Sequence, residues 1–168
     1  MAKRHKSLIE LSHDHHHGLA LALRLRQGND ALLNDGWTHD RTGQAERVKM
    51  FYEEELSRHF KEEEEVLFPA MVNDVPQCAE LVTTLLKQHR QMEGLIVRIS
   101  TAQADALPRL LVELGVVLED HIRKEERSLF PIFETEMLSD TSSRVGEELQ
   151  RLRERSLTQR KTEIRKQA

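Results

Sequence analysis

The chain has 168 residues, 38% of them hydrophobic and 32% charged, with a formal net charge of −4. That length suits one domain with a substantial core, and the single cysteine, Cys78, excludes an intrachain disulfide and any Cys-based zinc site. The charge is uneven: residues 151–168 carry seven basic side chains against two acidic ones, which leaves an acidic body ill-suited to nucleic acid.

The earliest apolar run, Leu19 to Leu23, stops at Arg24 and is too short for a membrane span or a secretory core. The expectation is a cytoplasmic protein without membrane contact. Apolar residues recur at three and four instead of two, so the pattern is helical throughout.

Ser7 with Glu10 reads as a capping box opening a first helix, whose apolar run through Leu25 ends at Gly28-Asn29. A loop from Asn29 to Gly43 follows, with a short helical turn around Ala31–Leu33 and Trp37 plugging one end of the core. A second helix from about Gln44 carries the stripe Ala45, Val48, Tyr52, Leu56, His59, Glu63 and Val66, and Pro69 ends or kinks it. Pro76 suits the first turn of a third helix, with His89 central on its apolar face. A fourth helix after Pro108 aligns Leu111, Leu114, Leu118, His121, Glu125 and Leu129, closed by a second Leu-Phe-Pro. Val145, Leu149 and Leu152 mark a fifth, packed outside, and the basic tail reads as a solvated C-terminus.

The expected fold is therefore all-α: an up-down four-helix bundle with an additional C-terminal helix. One domain covers 1–168, with the bundle over about 7–135 and the last helix and basic tail over about 139–168.

Two stretches organise the chemistry. HFKEEEEVLFP (59–69) and HIRKEERSLFP (121–131) align without a gap, sharing His, a basic residue, two adjacent glutamates and Leu-Phe-Pro. In each, the His and the first shared Glu are four apart: His59 with Glu63, His121 with Glu125. That spacing puts both side chains on one helix face, with Cβ atoms roughly 6 Å apart. Together with His89 and a histidine of the first helix, they form an inward set that would be costly to bury unpaired. A metal cation removes that cost. Four consecutive glutamates, 62–65, cover a whole helical circumference, so most read as solvated; Glu63 is chosen over Glu62, and Glu125 over Glu126. In the first helix His15 and His16 each keep phase with apolar residues, and phase does not decide between them. His13 and His17 read as exposed or as outer partners, His5 and His39 as surface residues.

The run SHDHHHGL, then HFKEE, QHRQM and HIRKEE with its paired Leu-Phe-Pro, resembles the hemerythrin-like, HHE cation-binding family over roughly Ser7 to Pro131. The resemblance implies a centre of two non-haem iron ions. It places the ligands on one helix-1 histidine (His15 or His16), His59, Glu63, His89, His121 and Glu125, with both glutamates bridging. Oxygen-carrying hemerythrins have a second histidine one turn after the third-helix His, where this chain has Glu93. A mixed imidazole and carboxylate set without thiolates suits Fe, and less distinctively Mn or Zn.

The implied function is binding or sensing of O2, another small diatomic or peroxide, or iron itself. The alternative is an enzyme, a di-iron oxidase or peroxidase, or an NO-reactive repair factor that donates iron. A dedicated catalytic apparatus is not visible in the sequence. Tyr52 is the residue that could add redox chemistry.

Overall fold

The computed structural model describes residues 4–27, 37–38 and 40–167, without the side chains of 160, 161 and 163–167. The expected stop at Gly28-Asn29, the turn around Ala31–Leu33, His39 and the end of the basic tail lie outside those residues. Five helices account for nearly all of it, and no strand occurs among the described residues. They are α1 (Ile9–Gln27), α2 (residues 41–74), α3 (Ala79–Thr101), α4 (residues 107–136) and α5 (Ser139–Gln167).

The start of α1 differs from the expected capping box. A 3-10 turn, Lys6–Leu8, precedes it, and His5 is the cap, its Nδ1 accepting from the Ser7 N–H at 3.3 Å. The Ser7 hydroxyl donates instead to the Ser142 carbonyl at 2.8 Å, tying the start of α1 to α5. His5 is thereby half-buried against Phe133, ring centroids 5.5 Å apart.

The two Leu-Phe-Pro motifs do not end their helices. α2 runs on to Asp74 and α4 to Glu136, because a π-helical turn precedes each proline: Glu63–Leu67 and Glu125–Leu129. In these turns Phe68 N–H bonds to Glu63 C=O and Phe130 N–H to Glu125 C=O, five residues back. The wider turn takes up the proline, which has no N–H to give and would otherwise crowd the carbonyl four residues earlier. Both π turns begin at a glutamate that the sequence pattern placed inward. A third, Tyr52–Leu56, lies upstream in α2. Asp40 caps α2, its Oδ2 accepting from the Gly43 N–H at 2.8 Å.

The buried apolar residues form two clusters. One contains Ala22, Leu25, Trp37, Leu56, Phe60, Met92, Leu111 and Leu118, so Trp37 is part of the core. The other contains Leu8, Leu11, Leu67, Phe68, Met71, Leu85, Leu129, Phe130, Val145 and Leu149. α1 packs closely on α4 and α3 packs on α4, while α5 lies on residues 6–8 and on 57–67 of α2. The α1–α4 approach depends on Gly115, where an added Cβ would stand 2.8 Å from the Ala22 carbonyl oxygen. On α1 and α3 the inward histidine, and on α2 and α4 the inward glutamate, falls between the two apolar clusters. The polar groups are thus sealed between two dry layers.

Candidate metal centre

His15, His59, His89 and His121 are buried, as are Glu63 and Glu125, both with no exposed surface. Their donor atoms converge in two groups. His15, His59, Glu63 and Glu125 form one; Glu63, His89 and His121 form the other; within each, the donor atoms lie within 4.8 Å of one another. Glu63 spans both groups, its Oε1 3.0 Å from His59 Nε2 and its Oε2 3.3 Å from His89 Nε2. Glu125 Oε2 stands between as well, 3.1 Å from His15 Nε2 and 3.3 Å from His121 Nε2. The ring nitrogens also face in pairs: His15 Nε2 to His59 Nε2 at 3.1 Å, and His89 Nε2 to His121 Nε2 at 3.2 Å.

These contacts are close but are not hydrogen bonds to the carboxylates: none of the four oxygens of Glu63 and Glu125 has a partner with hydrogen-bond geometry. Four orphaned carboxylate oxygens in a dry core are costly. Ligands about 2.1 Å from one ion and at right angles to each other sit roughly 3.0 Å apart. The spacings just given match that, so each of the two groups fits a metal cation, with Glu63 common to both.

Without metal, protons supply the missing positive charge. Burial opposes ionisation of His59, yet the charge of Glu63 and the hydrogen bond it donates to Asp14 push its pKa up to about 10. Burial works against His15 and His89 too, and nearby carboxylates, Glu125 and Glu126 for the first and Glu63 for the second, raise both. Burial and mutual repulsion press Glu63 upward, but His59 and His89 bring it below the ordinary value. Burial likewise presses Glu125 up, and His121 and His15 hold it well below.

The distal nitrogens are anchored by carboxylates. His15 Nδ1 donates to Glu126 Oε1 at 2.7 Å, His89 Nδ1 to Glu64 Oε1 at 2.7 Å, and His59 Nδ1 to Asp14 Oδ2 at 3.4 Å. Such bonds fix the ring orientation and make the other nitrogen a better ligand. His121 Nδ1 has no such partner. Aromatic rings wedge the imidazoles further: Phe60 stacks on His89 at 3.8 Å and Phe130 on His15 at 5.3 Å, centroid to centroid.

The structure separates the two helix-1 alternatives. His15 points into the cluster, whereas His16 is exposed, with Nδ1 2.9 Å from the Ser12 carbonyl oxygen, and does not reach it. His13 and His17 are exposed as well, and His17 pairs with Glu55 at 2.8 Å. Glu93 is not in the cluster; it pairs with Arg90 at 2.6 Å.

The glutamate run reads differently from expected. Glu65 is exposed, but Glu62 is buried on Arg58 and Arg153, and Glu64 serves His89 while pairing with Arg90. Glu126, passed over in favour of Glu125, holds His15, the Ser12 hydroxyl and Arg4. Asp14, Glu64 and Glu126 were therefore missed as partners. Their signal was present: the adjacent glutamates recur at equivalent places in both repeats, and Asp14 adjoins His15.

The hemerythrin HHE cation binding domain matches the chain over residues 7–133. No curated protein and no solved structure matches it.

Proposed function

We propose that this chain, which belongs to the hemerythrin HHE cation-binding family, is a non-haem di-iron protein that binds or senses O2 or a related small molecule, or iron itself. The observation that carries the reading is that Glu63 belongs to both donor groups, while Glu125 Oε2 lies 3.1 Å from His15 in one and 3.3 Å from His121 in the other. His15, His59, Glu63 and Glu125 would hold one iron, and His89, His121 and the same two glutamates the other. His15 is taken over His16 on its burial. Mn or Zn would fit the same donors less distinctively. The proposal includes the up-down arrangement of α1 to α4 with α5 outside it, and a cytoplasmic location. No described helix is long and apolar enough to cross a membrane.

Two bound irons would supply redox chemistry towards O2, NO or peroxide. The chain's own residues orient the donors, through Glu126, Asp14 and Glu64, and exclude water with the apolar layers on either side. Burial of four imidazoles against two carboxylates gives a less anionic site than a carboxylate-rich one, which favours the ferrous pair.

Metal analysis of the chain purified from iron-replete cells, with absorption spectra after reduction and after aeration, tests this. Close to two irons per chain and a spectrum that changes on aeration are expected. A chain that takes up no iron would overturn the reading, and rapid turnover of peroxide by the loaded protein would move it to the enzyme alternative.

A further inference from the structure

The outer shell of the cluster extends beyond the stretch 7–133. Arg153 lies on α5 and is largely covered, its side chain 16% exposed. Its Nε and Nη2 clasp Glu62 at 3.0 and 2.7 Å, Nη2 also reaches Asp14 Oδ2 at 2.6 Å, and Nη1 reaches Glu10 at 3.0 Å. Asp14 is the residue whose carboxylate stands on His59 Nδ1. Glu62 is 1% exposed and Asp14 11%, so these are two covered carboxylates on different helices. Arg58 lies between them from the α2 side, 3.2 Å from Asp14 and 3.0 Å from Glu62.

Without Arg153, one guanidinium would serve both anions, and Asp14 would be free to turn away from His59. We infer that Arg153 is a positioning residue of the metal centre: from α5 it holds the Asp14 carboxylate on His59 Nδ1, which keeps His59 Nε2 aimed at the point shared with His15 and Glu63. The side chain suits the task because its planar fork spans two carboxylates at once, which a lysine ammonium does not reproduce. α5 is then part of the site and not an appendage. Its attachment to the bundle is a separate matter, carried by buried Val145 and Leu149 and by the Ser7–Ser142 bond.

The inference rests on the metal-centre reading, and the test lets the two fail separately. The full-length chain is compared as wild type, Arg153→Met, Arg153→Lys and Leu149→Ala. One readout is the imidazole N–H spectrum of the metal-free protein by NMR, followed at His59 Nδ1. The other is the rate at which the ferrous-loaded protein yields iron to a chelator. Loss of an outer partner commonly weakens metal binding by about 10–100-fold. Arg153→Met is expected to shift or lose the His59 N–H signal and to speed release of one iron about tenfold, with Arg153→Lys intermediate. Leu149→Ala is expected to melt earlier yet keep the signal and both release rates. An unchanged His59 signal with unchanged release in Arg153→Met overturns the inference. If that variant does not fold, Arg153→Lys decides by the same two readouts, wild-type behaviour in both overturning it. A wild-type chain that takes no iron sinks the metal-centre reading, and the His59 signal, which needs no metal, still decides the role of Arg153.

Discussion

Glu64 and Glu126 hold the same place in the two repeats, and each accepts from the Nδ1 of a histidine on another helix at 2.7 Å: Glu64 from His89 on α3, Glu126 from His15 on α1. Each repeat thus supplies an inward histidine, an inward glutamate and an outer glutamate that orients a neighbour's ring. Removing the outer carboxylates one at a time, as Glu64→Ala and Glu126→Ala, is expected to weaken metal binding by about 10–100-fold each. The fold should persist, since both are only partly buried. Competition titration against a chelator of known affinity measures it; affinity unchanged in both variants would mean that these bonds do not matter to the centre.

Glu63 and Glu125 should become a burden to the metal-free fold once the imidazoles that face them lose their protons. All four of their oxygens lack hydrogen-bond partners in a dry interior. The double variant Glu63→Gln/Glu125→Gln is therefore expected to hold fewer than two ions and, above about pH 10, where His59 has lost the proton that faces Glu63, to melt no earlier when chelated than the chelated wild type. A ligand present at 1,000 times its dissociation constant stabilises the native state by about 4 kcal/mol. The melting-temperature gap between loaded and chelated wild type should accordingly be several degrees, and it should shrink in the double variant. Two ions retained with the gap intact would refute the shared-carboxylate assignment.

The placement of these groups was legible because helical period and ligand spacing coincide: His59 and Glu63, like His121 and Glu125, keep phase with apolar neighbours that are buried in the structure. What was not legible needed a third dimension. Periodicity ranks faces within one helix, so it set Glu64 and Glu126 aside in favour of Glu63 and Glu125 without knowing that α3 and α1 would pass within reach. The same limit left His15 and His16 equivalent until the packing of Phe130 and the site of His59 distinguished them. Pro69 and Pro131 misled for a local reason: helix-breaking rules assume an α turn, and the chain supplies a π turn.

Glu93 stands where a fifth histidine would be in an oxygen carrier, and the four-residue spacing from His89 allowed an inward carboxylate. Its ion pair with Arg90 instead leaves it at the edge of the bundle. Glu93→Ala is expected to leave the metal count and the absorption spectrum unchanged, and to alter stability by under about 1 kcal/mol, as for other exposed pairs. A lost ion or a shifted spectrum in this variant would return Glu93 to the centre.

Protons and metal compete for the same nitrogens. In the metal-free chain burial disfavours the charged form of His59, but the charge of Glu63, the hydrogen bond to Asp14 and the charge of Glu125 together push its pKa up to about 10, against about 6.5 for a free histidine. A raised pKa adds stability that is fully present below the unfolded value and is lost as pH rises through the folded one. The chelated protein should therefore melt at falling temperatures as pH is raised from about 6.5 towards 10. Metal loading at pH 7 should expel protons, since ligating imidazoles must be neutral. Calorimetric titration in two buffers of different ionisation enthalpy counts them, and a count of zero would contradict the assignment.

The two halves of the centre are not equally braced. His15 and His59 are each anchored through their distal nitrogens, by Glu126 and Asp14, and Arg4 and Arg153 stand behind those carboxylates. On the other side His89 has Glu64, but His121 Nδ1 is buried without a partner. An unanchored ring reorients more freely, so its ligand bond should break first. Removal of iron by a chelator should then proceed in two phases, with the ion held by His89 and His121 leaving in the faster one. His121→Ala should abolish the fast phase and keep one slowly released ion. His15→Ala should remove or speed the slow phase. Two ions leaving together at one rate in the wild type would show that the missing anchor at His121 has no consequence, and that the shared glutamates couple the two sites more tightly than the histidines divide them.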